Sequence, residues 1–168
     1  GDTVRHLQAE EGVRDGLSHN SVRSLLADAK GSVWIGCYVG GVHIYDRDNQ
    51  RFAHFYHNPS NDNSLSYDVV GAFAQDEKGR LWIGTERGGI TIRDGTTYRH
   101  EVLQHSAHQL QTLSGNTIKS LACDERGVLW AGVFRGGLNR IAPDTKVVSR
   151  FPHAQPAYEA LGKAIVNS

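Results

Sequence analysis

The chain repeats itself every 48 residues. Leu17-Ser18, Leu65-Ser66 and Leu113-Ser114 open the copies. Each copy then passes through an aspartate (Asp28, Asp76, Asp124) and a glycine (Gly31, Gly79, Gly127) to a tryptophan. Trp34, Trp82 and Trp130 are the only tryptophans in the protein. Glycine follows each two residues later (Gly36, Gly84, Gly132), and a Gly-Gly pair closes the motif at 40–41, 88–89 and 136–137. No insertion or deletion separates the copies. A fixed period in this range marks a repeat architecture, in which one unit buries its apolar face only by stacking on the next.

The middle copy shows what a unit contains. Val69–Ala74 is short and mostly apolar, and Asp76-Glu77-Lys78-Gly79 is a turn signal. Arg80–Thr85 is a strand run of bulky residues, and Ile90–Arg93 alternates apolar and polar with the two-residue period of a half-buried strand. Asp94-Gly95 turns again into a weaker strand over Arg99–Leu103. The first copy gives the same four pieces over Ser21–Ala27, Ser32–Cys37, Val42–Tyr45 and Phe52–Tyr56. No segment carries a helical period. The expected fold is all-β: a β-propeller fragment of four-stranded antiparallel blades. The repeated indole suits a wedge between blades, since a buried ring of this size removes ~150–250 Å² from water. Carbohydrate stacking is the competing role for the three rings.

The period sets the boundaries. Residues 17–64, 65–112 and 113–160 are full blades. Residues 161–168 correspond to the start of the third copy and read as the first strand of a further blade. In residues 1–16, Val4 and Leu7 occupy the places of Phe52 and Phe55, so this stretch reads as the last strand of a preceding blade and its connection. About three and a half blades leave two faces uncovered. Either the sequence is a piece of a longer chain, the favoured reading, or two copies close a seven-bladed ring.

Charge and cysteine narrow the function. Eighteen basic residues balance eighteen acidic ones, which argues against a nucleic-acid partner. No apolar run is long enough to span a bilayer, so no membrane contact by this segment is expected. Cys37 and Cys123 fall at different phases of different blades and read as free thiols. Of the nine histidines, His54 and His57, and the cluster His100, His105 and His108, match no strong metal spacing. Neither a metal nor a cofactor is expected, and no nucleophile, P-loop or dinucleotide motif suggests catalysis.

Differences between copies point to a site. Just before the Gly-Gly pair the copies read Tyr38-Val39, Glu86-Arg87 and Phe134-Arg135. The framework repeats while these positions change size and charge, as expected of loops free to specialise. Asn20, Asp68 and Asn116, which open the first strands, are expected nearby at the channel mouth. The candidate ligand-binding residues are therefore Tyr38, Glu86, Arg87, Phe134, Arg135, Asn20, Asp68 and Asn116, suited to a small polar or carbohydrate-like ligand. The connections His57–Ser64 and Gln104–Thr112 read as polar and mobile, available to a partner domain.

The string D-x-x-G-x-[LV]-W-[IA]-G followed by G-G-[VIL], carried by Asp28–Val42, Asp76–Ile90 and Asp124–Leu138, resembles the two-component regulator propeller repeat. Asn20–Leu25 and Asn116–Leu121 are similar to that family's opening strand. Departures are Cys37 and Val133 for the usual Thr, Ala131 for Ile, and Asp68 for Asn. The resemblance implies a non-catalytic, ligand-sensing module on the periplasmic or extracytoplasmic side of a membrane-anchored receptor, of histidine kinase or diguanylate cyclase type. Alternatives are a propeller lyase of the streptogramin-inactivating type, which needs a His/Glu pair and a metal at the channel, and a non-catalytic protein-interaction scaffold.

Overall fold

A computed structural model describes residues 4–10 and 15–151. All regular structure among them is strand, in three antiparallel sheets of four. Blade 1 holds β1 (Val22–Ala27), β2 (Ser32–Cys37), β3 (Val42–Asp46) and β4 (Arg51–Phe55). Blade 2 holds β5 (Val70–Gln75), β6 (Leu81–Thr85), β7 (Ile90–Arg93) and β8 (His100–Leu103). Blade 3 holds β9 (Ile118–Cys123), β10 (Leu129–Val133), β11 (Gly137–Ile141) and β12 (Val148–Phe151). Strands pair in chain order within each blade. The first strands β1, β5 and β9 lie side by side across blades and form the inner edge of the stack.

The tryptophan is the wedge between blades. Trp34 packs with Leu65, Val70, Leu81 and Ile83 of blade 2, and Trp82, wholly buried, packs with Leu113, Ile118 and Leu129 of blade 3. Trp130 is only half-buried and lies beside Phe151 of its own blade, with ring centroids 6.0 Å apart. The repeated aspartate explains why the ring sits so firmly. Its Oδ1 accepts the two backbone N–H groups that close the turn, while its Oδ2 accepts the indole N–H, at 2.9 Å in Asp28–Trp34 and Asp76–Trp82 and 2.8 Å in Asp124–Trp130. One carboxylate thus ties turn, strand and wedge together.

The glycine after the tryptophan permits close approach. A Cβ on Gly84 would lie 2.7 Å from Ile118 Cγ2 of the next blade. Gly89 holds φ at +74°, a left-handed value that turns β6 into β7.

A second repeated element lies under the serine. The backbone N–H groups of Ser18, Ser66 and Ser114 donate to His43 Nε2, Thr91 Oγ1 and Asn139 Oδ1, all wholly buried. Three different side chains fill one acceptor role, so the position tolerates change as long as a buried acceptor remains.

Two expectations need correction. Residues 4–10 form no strand, and Val4 is exposed. An outermost strand needs the three inner strands of its own blade to pair with, and the described residues supply none. The connections 57–64 and 104–112 are pinned rather than loose. His57 Nδ1 contacts the Leu65 carbonyl oxygen and His105 Nδ1 that of Leu113, both at 2.7 Å, and each turn is clasped across its ends by Asn58–Ser64 or Ser106–Thr112 hydrogen bonds. The segment 161–168, read as the start of a further blade, lies outside the described residues.

Candidate functional site

The loops that join the second and third strands of the blades gather on one face of the stack, beside the upper ends of the inner strands. Here the three blades are not equivalent. In blades 1 and 3 the loop carries an aromatic ring (Tyr38, Phe134), and in blade 2 it carries Glu86. The inner strands differ in the complementary sense. Each has a register shift, spanning Val22/Ser24 in β1, Val70/Ala72 in β5 and the Ile118–Ser120 segment of β9. The bulged residues are Arg23, Gly71 and Lys119. A bulge re-aims its side chain away from the ladder.

Two cations therefore converge on one carboxylate. Arg23 Nη1 and Lys119 Nζ both reach Glu86 Oε1, at 2.6 and 2.7 Å. The bond from Lys119 is the largest influence on the Glu86 carboxyl; burial opposes it, and the bond from Arg23 with the charge of both cations holds the group below the usual glutamate range. Glycine at position 71 keeps the middle of this bridge free of a third side chain. Each cation also sits at an aromatic face: the Arg23 guanidinium is 5.4 Å from the Tyr38 ring centre and the Lys119 ammonium 5.5 Å from that of Phe134. The Arg135 guanidinium stands 5.2 Å from the same Phe134 ring. Tyr38 and Phe134 remain 50% and 54% exposed. The result is a continuous row, Tyr38–Arg23–Glu86–Lys119–Phe134–Arg135, bridging three blades.

Of the residues singled out in the sequence, Tyr38, Glu86, Phe134 and Arg135 come together in this row. Arg87 turns aside, its guanidinium 6.0 Å from the Tyr67 ring centre. Its φ of 143° is a conformation non-glycine residues seldom adopt, held by its N–H donating to the Asn116 carbonyl oxygen at 3.0 Å. Asn20, Asp68 and Asn116 have framework bonds instead. Their side-chain oxygens accept the backbone N–H groups of Ala9, His57 and His105, each at 2.6 Å. These bonds fasten the approach to a blade onto its first strand. Arg23 and Lys119 escaped the sequence reading because they lie in strands. The signal that could have found them is the cation–Gly–cation sequence at positions 23, 71 and 119.

The one carboxylate of the row, Glu86, is held between two cations. Among the described residues no group of three or more His, Cys, Asp or Glu side chains is placed to hold a metal ion, and no helix is long and apolar enough to cross a membrane. Cys37 is buried in blade 1 and Cys123 half-buried in blade 3.

The sheet order, the repeat length and the indole wedge define a run of β-propeller blades. Residues 16–39, 64–87 and 112–135 each match the two-component regulator propeller repeat. Curated proteins yield no match. Among solved structures, the chain is similar to the extracellular domain of BT3049 from B. thetaiotaomicron, assigned there as a hybrid two-component system. The identity is 21% and the TM-score 0.74, covering 87% of this chain and 20% of that one. The corresponding domain of BT4673 from B. thetaiotaomicron is 27% identical with a TM-score of 0.67, covering 84% and 20%. Virginiamycin B lyase from Staphylococcus aureus shares the fold at 16% identity and a TM-score of 0.61, covering 84% and 45%. The chain spans about a fifth of the length of the two-component domains it resembles.

Proposed function

We propose that this chain is part of the ligand-sensing propeller of a membrane-anchored signalling receptor, of histidine kinase or diguanylate cyclase type, and that it works outside the cytoplasm without catalysing a reaction itself. The supporting observation is the rim row set on a propeller of these repeats. Exposed aromatic faces beside charged donors suit a small polar or carbohydrate-like ligand, with rings stacking on Tyr38 and Phe134 and hydroxyl groups meeting Arg23, Glu86 and Lys119. A bridge that ties three blades also offers a route for signalling: a ligand that competes for Glu86 alters the contact among all three.

The same reading supplies the missing faces. Phe73 and Leu121 pack against the preceding blade's apolar cluster, whereas Leu25, at the equivalent place in blade 1, is 65% exposed. Further blades of a longer chain cover it in this proposal; a second copy of the chain is the alternative cover.

The test is a thermal-shift screen of the chain against mono- and oligosaccharides, followed by calorimetry on hits with Tyr38→Ala, Arg23→Ala and Phe134→Ala. Affinity falls by about tenfold per variant while the unfolding midpoint is kept, since a stacking or charge-assisted contact is worth ~1–3 kcal/mol. A hit whose affinity is indifferent to all three replacements would place the ligand elsewhere.

A further inference from the structure

The opposite face of the stack holds a different cleft, between blades 1 and 2, with a volume of about 430 Å³. Trp34, Ile44 and Leu81 form its apolar wall, and Arg93 lies at its polar end. The Arg93 guanidinium lies over two aromatic rings: its carbon is 5.1 Å from the Trp34 ring centre and 4.6 Å from that of Tyr98. None of the ion pairs among the described residues includes Arg93. The one acidic residue of the lining, Asp28, has committed both oxygens, Oδ1 to the N–H groups of Lys30 and Ser32 and Oδ2 to the Trp34 indole. Burial lowers the Arg93 pKa from its ordinary value, the mark of a cation short of counter-charge.

Comparison between blades shows that this arrangement is not part of the repeat. Tyr45 and Ile141 stand where Arg93 stands, and Gln50 and Lys146 where Tyr98 stands. All three turn residues have left-handed backbones, with φ of 54°, 57° and 58°. Tyrosine is a bulky choice for that conformation, and here its ring covers the guanidinium. The next cleft along, between blades 2 and 3, is smaller at about 210 Å³, and two of its four cations are paired: Lys78 and Arg80 share Asp144, and Arg80 also binds Asp76.

We infer that the cleft between blades 1 and 2 is a second binding site, separate from the rim, that takes a small organic carboxylate. A guanidinium held against aromatic rings and free of any ion pair has its planar edge of N–H donors available, which matches a carboxylate in bidentate fashion. Lys30, also in the lining, adds positive charge, and the apolar wall receives the body of the acid. The size lies within the range of small-molecule sites.

The probe is benzoate, with benzamide as its neutral isostere and inorganic phosphate as a non-planar anion. Binding is followed on this chain by the NMR signal of the Trp34 indole N–H. Benzoate shifts that signal saturably, and benzamide and phosphate bind at least about tenfold more weakly. Arg93→Gln weakens benzoate by about tenfold or more, while Arg23→Ala, on the rim, leaves it unchanged. Should Arg93→Gln fail to fold by circular dichroism, Tyr98→Ala decides: it keeps the cation, removes its cover and weakens benzoate several-fold. No saturable shift, an affinity equal for phosphate or benzamide, or variants at Arg93 and Tyr98 that bind as the parent does would each overturn the assignment.

Discussion

Replacing Trp82 by alanine tests the stacking of blades most directly. The ring is wholly buried, between its own sheet and Leu113, Ile118 and Leu129 of the next. Truncating a buried indole costs about 3–5 kcal/mol through lost transfer energy and the cavity left behind. Trp130 has the same backbone position and the same aspartate clasp but is half-buried, so its truncation costs less, about 1–2 kcal/mol by area. The contrast removes what the indole does for its own turn, because both variants lose that alike. Urea unfolding of the two variants, followed by far-ultraviolet circular dichroism, gives the comparison. A partner replacement, Ile118→Ala, adds a cycle: Trp82 and Ile118 lie in one cluster across two blades, and their losses should miss additivity by about 0.5–3 kcal/mol. Equal losses for Trp82→Ala and Trp130→Ala, or strict additivity with Ile118→Ala, would refute the wedge.

Other predictions follow from single contacts. Asp76→Asn places an amide where Arg80 Nε and the Trp82 indole donate; we expect a loss of about 2–4 kcal/mol in chemical denaturation, exceeding that of Asp28→Asn, whose Oδ2 receives the indole alone. Gly84→Ala forces a methyl group into Ile118 and should cost about 1–3 kcal/mol, read from the same curves. His43 is wholly buried; burial first, then the charge of His54, lowers its pKa to about 4. The unfolded chain, with its histidine at the ordinary value, binds the proton first. The contribution of neutral His43 is thus complete above about pH 6.5, declines as pH falls toward 4 and levels off below, a change of about 3 kcal/mol. His43→Asn, copying Asn139, should flatten that segment of the stability profile; an unchanged slope would show that another group carries it. A sedimentation mass of one chain, rather than two, is expected if further blades rather than a second copy cover Leu25.

Much of this was legible in one dimension because the repeat is strict. The three copies align without a gap, so turn signals at Asp76–Gly79 and alternation in Ile90–Arg93 could be checked against two others, and the strands fall within a residue or two of where the pattern puts them. The Trp as a wedge followed from its recurrence, since an interface that recurs needs the same volume each time. The loop residues Tyr38, Glu86, Phe134 and Arg135 stood out because they vary within a fixed frame.

What the chain's order could not contain is which distant residues meet. Arg23 and Lys119 are 96 positions apart, and only the bulges in β1 and β9, with the stacking of three blades, bring both to Glu86 Oε1. Asn20, Asp68 and Asn116, candidates for a ligand by sequence, each give one side-chain oxygen to a backbone N–H of the incoming connection, a partner that sequence order does not reveal. Local pattern sets the strands and turns; the sites arise at contacts between blades, where partners are chosen by packing rather than by sequence distance.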